Sequence, residues 1–235
     1  QHRAQTIFIN VEPANIVSIL KNKGTLSKYM PKFEEREEQL SMALEVTKAL
    51  NERKRLIVEA GTGVGKSLSY LLPAVLYAIK NNTRVVISTN TITLQDQLLS
   101  KDIPDIIRAL SKSDEVPVEK LLFTQLKGKS NYVCLNKWSL LRAVESISED
   151  EARLLSKIII WLRSTVTGDR KELNLANQNA AAPWDKISAQ GTKNCAGISS
   201  VCFLRTARDK AAAAHLVVVN HALLMSDLTA GRPLI

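Results

Sequence analysis

The spacing of apolar positions changes along the chain, and each change marks an element. From Glu35 to Leu50, Leu40, Ala43, Leu44, Val46 and Leu50 recur among charges with the 3.6-residue period of an amphipathic helix. The period then breaks. Arg55-Leu56-Ile57-Val58-Glu59-Ala60 is a short apolar run stopped by glycines, which predicts a buried parallel strand. Leu68 to Ile79 predicts a core-facing helix closed by a turn at Asn81-Asn82, and Arg84 to Thr89 a second buried strand. Leu94 to Leu110 predicts a second helix, broken at Pro104, whose ring lacks the N–H a helix needs. Strand, helix, strand, helix is the pattern of an α/β parallel sheet.

Either side of this core the pattern is different. Residues 1–32 read as a lead-in or linker, with Pro13 and Pro31 bracketing Ile16, Val17, Ile19 and Leu20. After Lys120 the chain changes character: Leu135 to Arg163 looks helical, Gly168 to Ala189 looks polar and irregular, and Trp138, Trp161 and Trp184 all fall in this part. Residues 128–204 are therefore expected to form a mainly helical insertion with its own small core. His215 to Asn220 returns to the buried-strand pattern, so residues 33–127 and 205–235 are expected to make one α/β lobe.

Composition narrows the class. The 235 residues are 45% apolar and 23% charged, as in an ordinary globular protein. No apolar run is long enough for a membrane span, and no apolar leader opens the chain, which begins on Gln1; a cytoplasmic protein, cut from something longer, is expected. The 32 Lys and Arg against 23 Asp and Glu give a net charge of +9, which suits a nucleic-acid partner or a solvated basic surface. Three cysteines, an odd number, argue against a disulfide framework.

The sharpest chemical signal is Ala60-Gly61-Thr62-Gly63-Val64-Gly65-Lys66-Ser67, placed after a predicted strand and before a predicted helix. That is the context of a phosphate-binding P-loop. Glycines let successive N–H groups turn toward one point, and the helix N-terminus adds its positive end. Lys66 supplies a point charge for the β and γ phosphates, and the Ser67 hydroxyl a ligand for Mg²⁺. The spacing is not G-x-G-x-x-G, so a dinucleotide-binding turn is excluded.

The flanks resemble a family. Phe33-Glu34-x-Arg36-x-x-Gln39, the P-loop, and Ser88-Thr89-Asn90-Thr91-x-x-Leu94-x-x-Gln97 look like the opening motifs of superfamily 2 DNA helicases of the DinG/XPD type. The similarity continues through Lys127-Gly128-Lys129-Ser130-Asn131-Tyr132-x-Cys134, Thr167-Gly168-Asp169, Glu172-Leu173-Asn174-Leu175 and Val219-Asn220-His221-Ala222-Leu223-Leu224, and is nearer to bacterial DinG. The resemblance implies a RecA-like P-loop lobe that binds ATP and Mg²⁺ and moves 5′ to 3′ on single-stranded or forked DNA, at the nucleoid. It implies nucleotide contacts from Arg36, Gln39 and Gly61 to Ser67, with Lys66 and Ser67 in the catalytic role. DNA contacts are implied at Ser88, Thr89, Asn90, Thr91, Gln97, Lys127 and Lys129. Each has a plainer reading: Gln39 as a surface amide, Thr91 or Thr93 as a helix cap, the lysines as solvated charge. Lys120 and Arg142, with Tyr132 and Trp138 interleaved, extend the basic cluster toward base stacking.

Much of the family holds a [4Fe-4S] cluster on four cysteines of the insertion. Here Cys134, Cys195 and Cys202 suit the outer pattern, but a fourth thiolate is missing, so the alternative is a set of buried thiols. Asp150-Glu151-Ala152-Arg153 imitates the family's acidic box without a buried strand before it. The box and the second motor lobe are expected beyond Ile235. Two other classes fit a P-loop in a basic chain: a non-motor P-loop enzyme, and a DNA-binding scaffold indifferent to ATP.

Overall fold

Three short strands form a parallel sheet: β1 (Val85–Thr89), β2 (Phe123–Gln125) and β3 (Leu216–Asn220), in the order β1-β3-β2. The computed structural model describes residues 8–30, 33–112, 116–143, 146–173, 181–192 and 201–230. The strand last in sequence is central, with Leu216 to Val219 buried, as a strand covered on both faces requires. Register pairs Val85 with Leu216 and Thr89 with Asn220 on one side, and Phe123 with Leu216 on the other. His215 fastens the start of this strand: its Nδ1 accepts from Leu122 N at 3.1 Å, so Nε2 carries the proton and donates to Asn82 Oδ1 at 3.1 Å.

The helices before the sheet are α1 (Pro13–Leu20), α2 (Thr25–Tyr29), α3 (Glu37–Glu52) and α4 (Lys66–Asn81). The expected linker is part of the core. Ile16, Ile19, Leu20 and Leu26 are essentially inaccessible, and burial of side chains that size is worth about 1.5–3 kcal/mol each. Ahead of α1 the chain is held by two asparagines acting as substitute strand edges. Asn81 accepts from Ile9 N at 2.7 Å and donates to Ile9 O at 3.0 Å, while Asn51 does the same for Val11 at 2.9 Å in both directions. Phe8 stacks on Tyr77 and lies under the Arg53 guanidinium.

Two expectations near the sheet are corrected. Residues 55–60 form no regular element and pair with no strand among the described residues, and Ile57 is 99% exposed. An apolar run becomes a buried strand only where a neighbouring strand takes up its backbone groups, and β1 bonds to β3 alone. The helix around Pro104 does not break. It runs as α5 (Ile92–Gln97), one wide π-turn at Leu98–Asp102, and α6 (Ile103–Leu110). Widening the turn just ahead of the proline accommodates its missing N–H and its ring.

Contacts divide the described residues into two units, one up to Gln125 and again from Ala213, the other from Leu126 to Ala212, close to where the sequence changes character. The first is an α/β P-loop unit of RecA-like type, closed by α11 (His221–Thr229) after β3. The second contains α7 (Leu135–Arg142), α8 (Glu149–Trp161), α9 (Ala181–Ile187) and α10 (Phe203–Ala213). Its core is built on the tryptophans. Trp184 is fully buried with Nε1 donating to Ser130 O at 2.7 Å, and Trp161 donates to Glu172 Oε2 at 2.8 Å. The need to bury Trp184 and Ile187 explains a helix where the sequence looked irregular. No helix among the described residues is long and apolar enough to cross a membrane.

Candidate nucleotide and DNA site

The glycine-rich turn is built by backbone signs that only glycine adopts freely. Gly63 and Gly65 have φ of +84° and +82°, and α4 starts directly after them at Lys66. Lys66 Nζ donates back to Ala60 O at 3.1 Å and Gly61 O at 2.6 Å, inside the turn where a phosphate group would compete for it. Thr62 is exposed and Val64 partly buried, so the loop's crest faces solvent.

Arg36 and Gln39 grip the same turn from outside. The Arg36 guanidinium donates to Gly63 O, and Gln39 Nε2 donates to Gly65 O at 3.1 Å. Gln39 is buried, which removes the reading of a surface amide. A side chain at Gly65 would place its Cβ 2.0 Å from Gln39 Nε2, so the glycine is needed for this contact as well as for its φ. Beside these residues lies a cavity of about 530 Å³, lined by Phe33, Arg36, Gln39, Gly65 and Ser67. Tyr29 and Met30 of the lead-in and Asp102 of the π-turn line it too. The sequence pattern did not point to these three; the aromatic and apolar residues just ahead of Phe33 were a signal for Tyr29 and Met30, and nothing local marks Asp102. Tyr70, one turn after Ser67, has its phenol pushed up by burial, with a Ser67 hydrogen bond opposing and the Asp102 charge adding to the shift.

Apolar side chains beside two amide or guanidinium donors, next to a phosphate cradle, fit a nucleoside triphosphate. Mg²⁺ would be held through Ser67. Gln97 faces this cavity, its Nε2 donating to Asp102 Oδ2 at 3.1 Å, so it stands with the nucleotide-side residues.

The Ser88-Thr89-Asn90-Thr91 segment leaves the carboxyl end of β1, the end at which open α/β sheets place ligands. Thr89 is buried and donates to Thr91 O at 3.0 Å, while Thr91 caps α5 by accepting from Leu94 N at 3.2 Å. Ser88 meets His221 Nδ1 at 2.7 Å, and Asn90 is exposed.

In the second unit the basic cluster separates. Lys129 is exposed, but Lys127 is 4% exposed and its ammonium is paired with Asp169. A DNA contact at Lys127 is thereby corrected to an internal ion pair: a buried ammonium held by a carboxylate has no charge to offer a phosphate. Tyr132 and Trp138 are likewise core residues and no stacking platform. The Tyr132 hydroxyl accepts from Lys127 N at 3.1 Å, and burial pushes its phenol up to about 12. Thr167-Gly168-Asp169 and Glu172 complete the same knot. Thr167 donates to Glu172, and a Cβ on Gly168, whose φ is +66°, would lie 2.3 Å from the Phe203 ring. Burial alone would raise the Glu172 carboxyl, yet hydrogen bonds from Thr165, Thr167 and Trp161 hold it below its ordinary value.

Cys134 and Cys202 are half-buried thiols against one small cluster with Tyr132, Ala189 and Leu204. Cys195 lies outside the described residues. The described residues contain no group of three or more His, Cys, Asp or Glu placed to hold a metal, and the whole sequence has three cysteines. This donor set does not fit a four-thiolate iron–sulfur cluster. Asp150-Glu151 falls on α8, where Ser148 and Glu151 form a reciprocal capping box, so its resemblance to an acidic box is one of letters only.

Comparison with known proteins agrees with this geometry. Residues 41–131 match the DEAD/DEAH box helicase family. The chain is 37% identical over 220 residues to the ATP-dependent DNA helicase YoaA of Haemophilus influenzae, covering 91% of this chain and 32% of that protein. It is 35% identical over 208 residues to the 3′-5′ exonuclease DinG of Bacillus subtilis, covering 88% of this chain and 22% of the relative. Against the ATP-dependent helicase DinG of Mycobacterium tuberculosis it is 35% identical over 213 residues, covering 82% and 31%. The chain thus spans a third or less of the length of these curated relatives. With its P-loop and its flanking motifs, the chain is thus similar along most of its residues to part of the DinG and YoaA helicases, and residues 41–131 carry the DEAD/DEAH box helicase match.

Proposed function

We propose that this chain is the ATP-binding part of a DinG-type DNA helicase that moves 5′ to 3′ along single-stranded DNA. The observation that carries the nucleotide half is the Lys66 ammonium lodged on the Ala60 and Gly61 carbonyls, with Gln39 and Arg36 fixing the outer side of the same turn. ATP would draw Lys66 from those carbonyls onto its β and γ phosphates and present Mg²⁺ to Ser67, while the base enters the cavity beside Phe33 and Gln39. When bound, Mg²⁺ would neutralise charge on the phosphates. The DNA half rests on the exposed positions of the Ser88–Thr91 segment, on Lys129, and on the surplus of nine positive charges.

In this reading the chain holds nucleotide at the P-loop and DNA along the Ser88–Thr91 segment. The test is binding of a fluorescent ATP analogue with Mg²⁺, measured by titration. Saturable binding abolished by Lys66→Ala supports the reading. Affinity unaffected by Lys66→Ala would contradict it.

A further inference from the structure

At the carboxyl ends of β1 and β3 two side chains 133 positions apart in sequence meet: Ser88 Oγ lies 2.7 Å from His221 Nδ1. The sheet makes this contact, since Ser88 pairs with Val219 and Thr89 with Asn220, and His221 follows as the first residue of α11. His221 is exposed, and among the described residues its Nε2 has no partner. Neither strand contains a charged residue.

We propose that His221 is a positioning residue for the DNA strand, its Nδ1–H donating to Ser88 Oγ so that the Ser88 hydroxyl hydrogen turns outward to a DNA phosphate oxygen. This rests on the reading that the Ser88–Thr91 segment contacts single-stranded DNA. A hydroxyl has one hydrogen and two lone pairs. If that hydrogen points at the imidazole, a phosphate meets only lone pairs and is repelled. If the imidazole donates, the hydrogen is free for the phosphate. Of the other two hydroxyls of the segment, Thr89 donates its hydrogen to the Thr91 carbonyl, while Thr91 accepts from Leu94 N in the first turn of α5 and keeps its hydrogen. Ser88 is the hydroxyl whose direction is set by a side chain from another element.

The test is fluorescence anisotropy with a labelled oligothymidine of about 20 nucleotides, long enough for several backbone contacts, at constant low salt, with melting curves confirming that each variant folds. The loss of one hydrogen bond to a charged group is expected to weaken binding about 10- to 100-fold in His221→Phe and equally in Ser88→Ala, the double variant being no weaker than either. His221→Asn, whose amide nitrogen reaches the position of Nδ1, restores affinity, and His221→Gln does not. Weakening by Ser88→Ala with normal binding by His221→Phe would overturn the positioning role and leave the DNA reading standing. Rescue by Gln and not by Asn would also overturn it, because Nε2 would then touch the strand directly. No DNA binding by the unsubstituted chain, or none that responds to Ser88→Ala, would remove the reading itself and this inference with it. Should His221→Phe fail to fold, the Asn and Gln variants decide between these outcomes.

Discussion

Lys127 and Asp169 form an ion pair inside the second unit, with 3% and 8% of their side chains exposed. The pair is also tied to backbone: Asp169 accepts from Lys171 N at 3.0 Å, and Lys127 N donates to the Tyr132 hydroxyl. Removing one partner strands a buried charge. Asp169→Ala is expected to destabilise this unit by about 3–5 kcal/mol in urea unfolding, and a Lys127→Met, Asp169→Leu double substitution to recover most of the loss. In the folded double variant the dependence of DNA affinity on log salt stays unchanged. Lys129→Ala, which removes an exposed ammonium, is expected to lower that slope by about one.

Gly65 serves the P-loop twice, through its φ of +82° and through the space taken by Gln39. Gly65→Ala is expected to strain the turn by about 1–2 kcal/mol and push the Gln39 amide from the Gly65 carbonyl. Nucleotide titration should show affinity reduced at least as far as in Gln39→Ala, while Gly61→Ala, whose Cβ would meet nothing closer than 4.0 Å, is milder.

The asparagine clamps make the segment before α1 a load on α3 and α4. Asn51→Ala and Asn81→Ala each remove a donor and an acceptor that hold Val11 and Ile9. Each is expected to lower stability by about 1–3 kcal/mol, measured by chemical denaturation, and to open residues 8–12 to limited proteolysis. Removing residues 1–30 takes Ile16, Ile19, Leu20 and Leu26 out of the core and should leave the first unit insoluble or unfolded.

Acid should act first on the second unit through Glu151. The Lys186 ammonium, then the Ser148 backbone and hydroxyl, hold its carboxyl down to about 2, against an ordinary value of 4.5. A depressed folded value stabilises fully above the unfolded value, and the contribution is lost as pH falls from 4.5 toward about 2. All three tryptophans lie in this unit, so tryptophan fluorescence during acid titration reports on it alone. Lys186→Ala is expected to flatten that dependence.

The P-loop was legible because its glycines, lysine and serine encode backbone signs and charge directly, without help from distant residues. β1 and β3 were legible as β-branched runs. What stayed hidden depended on partners far along the chain. Phe123–Gln125 is too short to show a period and is a strand only because Leu216 to Val218 lies beside it. Leu56 to Val58 has the letters of a strand and, among the described residues, no neighbour to make it one. Lys127 reads as a surface cation until Asp169, 42 residues on, is brought to it. Asn51 and Asn81 look like ordinary helix ends, and only the folded chain shows the segment they hold.

The strand order β1-β3-β2 has a consequence for how the protein is made. Among the described residues β1 and β2 bond only to β3, so the sheet forms when residues 216–220 exist and slide between them. A ribosome adding about 5–20 residues per second would leave both strands waiting for several seconds while the whole 126–212 unit is synthesised. That unit has its own tryptophan core and can fold during the delay. Once folded, it replaces a long floppy loop with a compact body and lowers the entropy cost of the final insertion. A slip in its folding would therefore be felt first as a sheet that fails to close, with two unpaired strand edges open to aggregation.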